Sequence, residues 1–175
     1  MGEHVMNDSH VHQKTNSTLA DFYPLLSIFF SIVLITVMQQ WYFGWHAREA
    51  MRVFMSVFFL VFGAFKVSKL SDFARAYAEY DLVAKHFYVY GYIYPFIELS
   101  LGLAYLFDMM PLFVNSITFV LMGVSALGVL RKLLKKEQIM CACLGTVFKI
   151  PMTYVTLAED LLMAVMALMM LFVAY

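Results

Sequence analysis

The chain has 175 residues, of which 63% are hydrophobic, 17% aromatic and 14% charged. This excludes a soluble domain of ordinary composition, in which about a quarter of the residues are charged, and it requires lipid as the solvent. The 12 basic residues balance 12 acidic ones, which removes the electrostatic basis for a nucleic-acid partner. The length accommodates four or five membrane-crossing helices of about 20 residues and leaves little for a separate soluble domain.

Residues 1–21 hold His4, His10 and His12 among Ser, Thr and Asn, with almost nothing apolar. A disordered polar tail is predicted. Its histidine spacing suits a borderline metal, although short His-bearing tails commonly bind none. The apolar run that follows is too long for a cleavable signal and lacks a small-residue cleavage site, so this first helix is expected to remain as an anchor. It occupies residues 22–46 and closes on Trp41, Tyr42 and Trp45, amphipathic rings that settle at headgroup level. A linker with His46, Arg48 and Arg52 leads to a second span over about 50–65. Its charge-free stretch is short for a crossing unless Arg52 and Lys66 snorkel outward.

Next, Leu70, Phe73, Tyr77, Tyr80 and Ala84 recur at steps of three and four, with Lys69, Asp72, Arg75 and Glu79 between them. The pattern predicts an amphipathic helix that lies on the membrane surface or continues the second span. A third span is predicted over 87–107, with Pro95 and Glu98 near its centre. A fourth, over 109–130, carries no charge, and Gly123, Ser125 and Gly128 permit close helix approach. After Arg131, Lys132, Lys135 and Lys136 comes Met140-Cys141-Ala142-Cys143-Leu144-Gly145, and Pro151 then suits the first turn of a fifth span reaching the C-terminus.

With five spans, Lys14, Lys66, Lys69, Arg75, Lys85, Arg131, Lys132, Lys135, Lys136 and Lys149 fall on one side, and Arg48 and Arg52 on the other. The side rich in basic residues faces the cytoplasm. The N-terminus is therefore expected inside, the C-terminus outside, and the cysteine loop at the cytoplasmic face.

Cys141 and Cys143 are the two cysteines of the chain. One residue apart, they close too small a loop to staple the fold. Such a pair suits either a thiophilic ion such as Cu(I) or cycling between dithiol and a strained disulfide. Lys135, Lys136 and Lys149 would favour the thiolates that both uses need. Cysteine is also a common small apolar residue in membrane helices. Glu98 is a carboxylate halfway through an apolar span, so it needs a partner, protonation or a polar cavity; Lys66 and the hydroxyls of Tyr94 and Tyr154 are candidates. It serves either proton or ion handling or a structural ion pair. Glu159 and Asp160 lie roughly 12 Å beyond Pro151 and point about 100° apart, so they cannot both face one neighbour. Asp81 reads as a solvated charge. Met163, Met166 and Met170 share one helix face, as packing or as a Cu(I) path.

Four stretches in order, Phe65-Lys66 through Lys69-Leu70-Ser71-Asp72-Phe73, Tyr80-Asp81-Leu82, Tyr94-Pro95-Phe96-Ile97-Glu98-Leu99 with Gly102, and Cys141-Ala142-Cys143-Leu144-Gly145, resemble the MauE/DoxX-like redox-associated membrane proteins. The closest likeness is to the subgroup described with heavy-metal transport or detoxification. The resemblance implies a four-helix membrane unit and marks Lys66, Asp81, Pro95, Glu98, Cys141, Cys143 and Glu159. It also implies a place beside methylamine utilisation, where the named member is associated with maturation of a disulfide-rich dehydrogenase subunit, and a distant tie to quinone-linked sulfur oxidation. The chain departs from this pattern in its extra first helix, and it has no second cysteine pair to pass electrons onward. A cytoplasmic cysteine loop would also sit in a reducing compartment.

The expected fold is thus an all-α integral membrane protein of five transmembrane helices. It divides into the tail (1–21), an additional N-terminal transmembrane helix (22–46) and a MauE/DoxX-like four-helix membrane domain (47–175). The expected setting is the bacterial inner membrane, with the bilayer and a redox or metal-handling protein as partners. The expected function is an accessory role in thiol redox or maturation of partner proteins, centred on Cys141 and Cys143 and supported by Glu98 and Glu159. Two alternatives stand beside it: binding or transport of a Cu(I)-like metal through Cys141, Cys143, Met163 and Met166, or a non-catalytic scaffold subunit. The corresponding cofactor is a thiophilic metal or a quinone, and whether the protein is an enzyme stays open.

Overall fold

In the computed structural model, residues 23–78, 81, 83–84, 86–135 and 154–173 are described. Among them every regular element is an α-helix: α1 (Tyr23–Phe43), α2 (Ala47–Ser68), α3 (Leu70–Ala78), α4 (Tyr88–Leu106), α5 (Pro111–Leu134) and α6 (Tyr154–Val173). Three are long and apolar enough to cross a membrane, over Leu25–Phe43, Ala47–Ser68 and Pro111–Leu134. The outward side chains agree with lipid as the solvent. Phe30, Leu34 and Met38 of α1, Phe96 and Leu103 of α4, and Val120 and Leu127 of α5 are all exposed, on faces that water would penalise. The cysteine loop, the His-bearing tail, Glu79, Tyr80 and Pro151 lie outside the described residues.

The second helix is longer than its charge-free stretch suggested, because its ends are charged but still packed. Arg52 does not snorkel outward. It pairs with Glu49 at 2.7 Å and donates to the carbonyls of Tyr105 and Leu106 at 2.8 and 2.9 Å. Both carbonyls belong to the last turn of α4, where that of Tyr105 also accepts from the Asp108 N–H at 3.3 Å, and a guanidinium there complements the negative end of the helix dipole. Further along the same interface, Ser56 Oγ donates to Gly102 O at 2.9 Å. A Cβ on Gly102 would stand 3.1 Å from Leu60 N and 2.9 Å from Leu60 Cγ, and one on Gly63 would stand 3.0 Å from Leu99 Cδ2. Ascending positions on α2 meet descending ones on α4, so the two helices run antiparallel at close range.

The amphipathic segment does not continue α2. The helix breaks at Lys69 (φ −135°, ψ 57°), and α3 folds back to bury Phe73, Ala74 and Tyr77. Its docking site is the start of α4, where a Cβ on Gly91 would lie 3.2 Å from Ala74 Cα. Pro95 sits inside α4, where it removes the bond to the Gly91 carbonyl. The rings of Tyr77 and Tyr94 lie 4.5 Å apart, and those of Phe73 and Tyr94 6.1 Å. α5 and α6 pack closely along their lengths, with Val129, Met122, Met163, Ala167 and Met170 in the core. The small residues of α5 divide: Ser125 and Gly128 are buried, but a Cβ on Gly123 would meet nothing within 4 Å. Among the described residues, the expected close approach therefore does not occur at Gly123.

Candidate functional site: a buried charge cluster at one end of the bundle

The end of α2, the first half of α4 and the second turn of α6 converge on one group of ionisable side chains. Lys66 is 8% exposed and Glu98 is 2% exposed, and the Lys66 ammonium contacts both oxygens of the Glu98 carboxylate at 2.5 and 2.6 Å. Instead of snorkelling, Lys66 turns inward. The partner proposed for Glu98 from the sequence is thus the one it has. Aromatic faces enclose the ammonium on other sides: it lies 5.1 Å from the centre of the Tyr94 ring and 5.6 Å from that of Phe73. Folding α3 back over this pair is what supplies Phe73, so the break at Lys69 serves the site directly.

Asp81 is not a solvated charge; it is 1% exposed. Tyr77 Oη donates to one carboxylate oxygen at 2.9 Å, and the backbone N–H groups of Val83 and Ala84 donate to the other at 2.9 and 2.8 Å. These three donors compensate its burial and fix the connection from α3 into α4. Tyr90 extends the group, its ring centre 6.3 Å from that of Tyr77 and 5.9 Å from that of Tyr94.

On α6 the two neighbouring carboxylates separate as their 100° offset requires. Asp160 faces α5, where Ser125 Oγ donates to it at 2.8 Å, and it lies in electrostatic reach of Lys66, Glu98 and Asp81. Glu159 is buried and faces a different neighbour: it lines a cleft of about 200 Å³ with Leu25, Leu26 and Phe29 of α1 and Leu162 of α6. Asp160 thus turns toward Ser125 of α5, and Glu159 toward the cleft beside α1. Sequence reasoning left these directions undecided, because nothing in the chain reveals that Ser125 of α5 faces Asp160 of α6. Met163 is wholly buried in the core, with half-buried Met166 packed against it. Among the described residues, no three His, Cys, Asp or Glu side chains are grouped so as to hold a metal ion.

A second, smaller polar group marks the opposite end. Tyr105 Oη lies 2.8 Å from Asn115 Oδ1 and 3.1 Å from Thr118 Oγ1, which ties the end of α4 to the start of α5. The larger surface grooves, about 530 and 420 Å³ along α4 and α5, are lined by Ile93, Phe96, Phe113, Val120 and similar side chains with no charged group. In a bilayer these are lipid-contact surface.

Residues 45–173 match the family described as methylamine utilisation protein MauE. The matched stretch begins after α1 and includes every member of the charge cluster. Searches of curated proteins and of solved structures each found no match.

Proposed function

From membership of the MauE family, to which this chain belongs, we propose that the protein is an accessory membrane protein that exchanges thiol and disulfide with a partner protein through Cys141 and Cys143. In this exchange the two S–H groups of one protein are traded for the S–S bond of the other. Two protons and two electrons pass between the pairs, and no outside oxidant is consumed. The observation that carries this reading is the position of the charge cluster. Lys66, Glu98 and Asp160 lie toward the end of the bundle where α5 finishes and α6 begins, and the 19-residue connection between those helices holds both cysteines. A lysine and carboxylates beside that connection suit a thiol whose reactivity depends on its ionisation.

The same reading takes α4 and α6 as additional crossings. Their 19 and 20 residues give about 28–30 Å at 1.5 Å per residue, enough for the hydrocarbon core. With α1, α2 and α5 this makes five spans in the inner membrane, with the charge-cluster end and the N-terminus cytoplasmic and the C-terminus outside. Basic residues crowd that end: Lys69, Arg75, Arg131, Lys132 and Lys135 flank it, against Arg48 and Arg52 at the other. Glu159 is assigned to the contact with α1, with Glu98 as the buried support of the site.

The test is thiol accessibility in intact cells and in inverted vesicles, using a membrane-impermeant alkylating reagent with and without prior reduction and with and without a copper chelator. Labelling of Cys141 and Cys143 that requires reduction, together with loss of function in Cys141→Ser and in Cys143→Ser but not in Met163→Leu, supports thiol exchange. Labelling that rises only with the chelator moves the assignment to a Cu(I)-like ion. Full function in both serine variants moves it to a scaffold.

A further inference from the structure

The charge cluster has a division of labour that the Lys66–Glu98 pair alone does not explain. Lys66 and Glu98 neutralise each other through two contacts, and Asp81 is satisfied by three donors. Asp160 differs from both in its partner and its access. Among the described residues its hydrogen-bond donor is a neutral hydroxyl, Ser125 Oγ at 2.8 Å, and it is half-buried where Glu98 is sealed. A carboxylate in an apolar helix costs a few kcal/mol when only a neutral group compensates it. A hydroxyl, however, can either donate or accept. Ser125 can donate to the Asp160 carboxylate, or accept from the Asp160 carboxylic acid by rotating its own hydrogen, with no heavy atom moving.

We infer that Asp160 and Ser125 form a proton-binding site, loaded and unloaded from the charge-cluster end of the bundle and coupled electrostatically to the Lys66–Glu98 pair. The charged groups in electrostatic reach of Asp160 are Lys66 from α2, Glu98 from α4 and Asp81 from the connection before α4. Lys66 favours the ionised form of Asp160 and the two carboxylates favour the protonated one, so the geometry sets the two forms against each other. Access separates the roles: Glu98 is a fixed counter-ion, and Asp160 is the group that takes up and gives back the proton. The inference rests on helix packing and does not depend on the cysteines.

The experiment uses the full chain in membranes and a lipid-soluble carbodiimide, which reacts with carboxyl groups in their protonated form. Adducts are mapped by mass spectrometry across a pH series. The expected result is an adduct on Asp160 and not on Glu98, falling roughly tenfold per pH unit above a single midpoint. Ser125→Ala and Lys66→Met should each move that midpoint, a change that a purely structural residue would not cause. Asp160→Asn, shown to be folded by its elution and melting profile, should lose both the adduct and an infrared carboxylic-acid carbonyl band that titrates with the same midpoint. An unlabelled Asp160 with no titrating band, labelling that does not vary with pH, or an adduct on Glu98 in its place would overturn the inference. None of these outcomes bears on the thiol measurement, so the two readings fail separately.

Discussion

Removing one partner of the Lys66–Glu98 pair should cost far more than removing both. Glu98 is 2% exposed and Lys66 8%, and their contacts of 2.5 and 2.6 Å leave no room for water between them. Lys66→Met strands a carboxylate in the bundle, and Glu98→Leu strands an ammonium. Each should destabilise by about 3–5 kcal/mol, the usual cost of an uncompensated buried charge. The ammonium also loses or keeps its aromatic faces with the variant: contacts to Tyr94 and Phe73 are worth about 0.5–2 kcal/mol when desolvated, so Lys66→Met should fall at the upper end. The double variant Lys66→Met/Glu98→Leu buries only apolar groups of similar volume. It should return to within about 2 kcal/mol of the parent, or exceed it. Equilibrium unfolding in detergent, run as a double-mutant cycle, measures the coupling directly. If each single variant costs less than about 1 kcal/mol, or if the double variant equals the sum of the two, the pair is not acting as a buried ion pair and the account of the site fails. Loss of function in a stable double variant would separate a chemical role for the charges from their structural one.

Other perturbations follow from the same geometry. Gly102→Ala should destabilise by about 1–3 kcal/mol, since the added methyl meets the Leu60 backbone at 3.1 Å, whereas Gly123→Ala should leave melting within about 0.5 kcal/mol of the parent; equal effects would refute the assigned helix packing. Arg52→Ala removes two bonds to the terminal carbonyls of α4 and should cost about 1–3 kcal/mol, with increased hydrogen exchange at Leu106 and Phe107 as the local readout. Asp81→Ala leaves the Val83 and Ala84 N–H groups without an acceptor. It should destabilise by about 2–4 kcal/mol and detach α3, read as new proteolytic cleavage between α3 and α4.

The residues differ in how far the sequence exposes their roles. Lys66 and Glu98 were legible as partners because a carboxylate inside an apolar span needs a cation and Lys66 stood at the right depth of the preceding span. Asp81 was misread as solvated, since its compensation comes from backbone N–H groups and a tyrosine four residues earlier, and a linear pattern does not display such donors. Snorkelling of Lys66 and Arg52 was one way for a short span to cross. What turned them inward was a neighbouring helix offering a carboxylate to one and carbonyls of its last turn to the other.

Sequence alone determined the solvent, the helical class and the family, because composition and span-length apolar runs follow from the requirement that backbone polar groups be satisfied within each segment in lipid. It also determined that Glu98 required compensation. Only the tertiary structure decided that Asp160 turns to Ser125 of α5 while Glu159 turns to the cleft beside α1. Periodicity puts them about 100° apart, but the direction of each depends on how α6 is rotated against α1 and α5. That rotation is fixed by the packing of Met163, Ala167 and Met170 into the core, a long-range choice that no local pattern encodes.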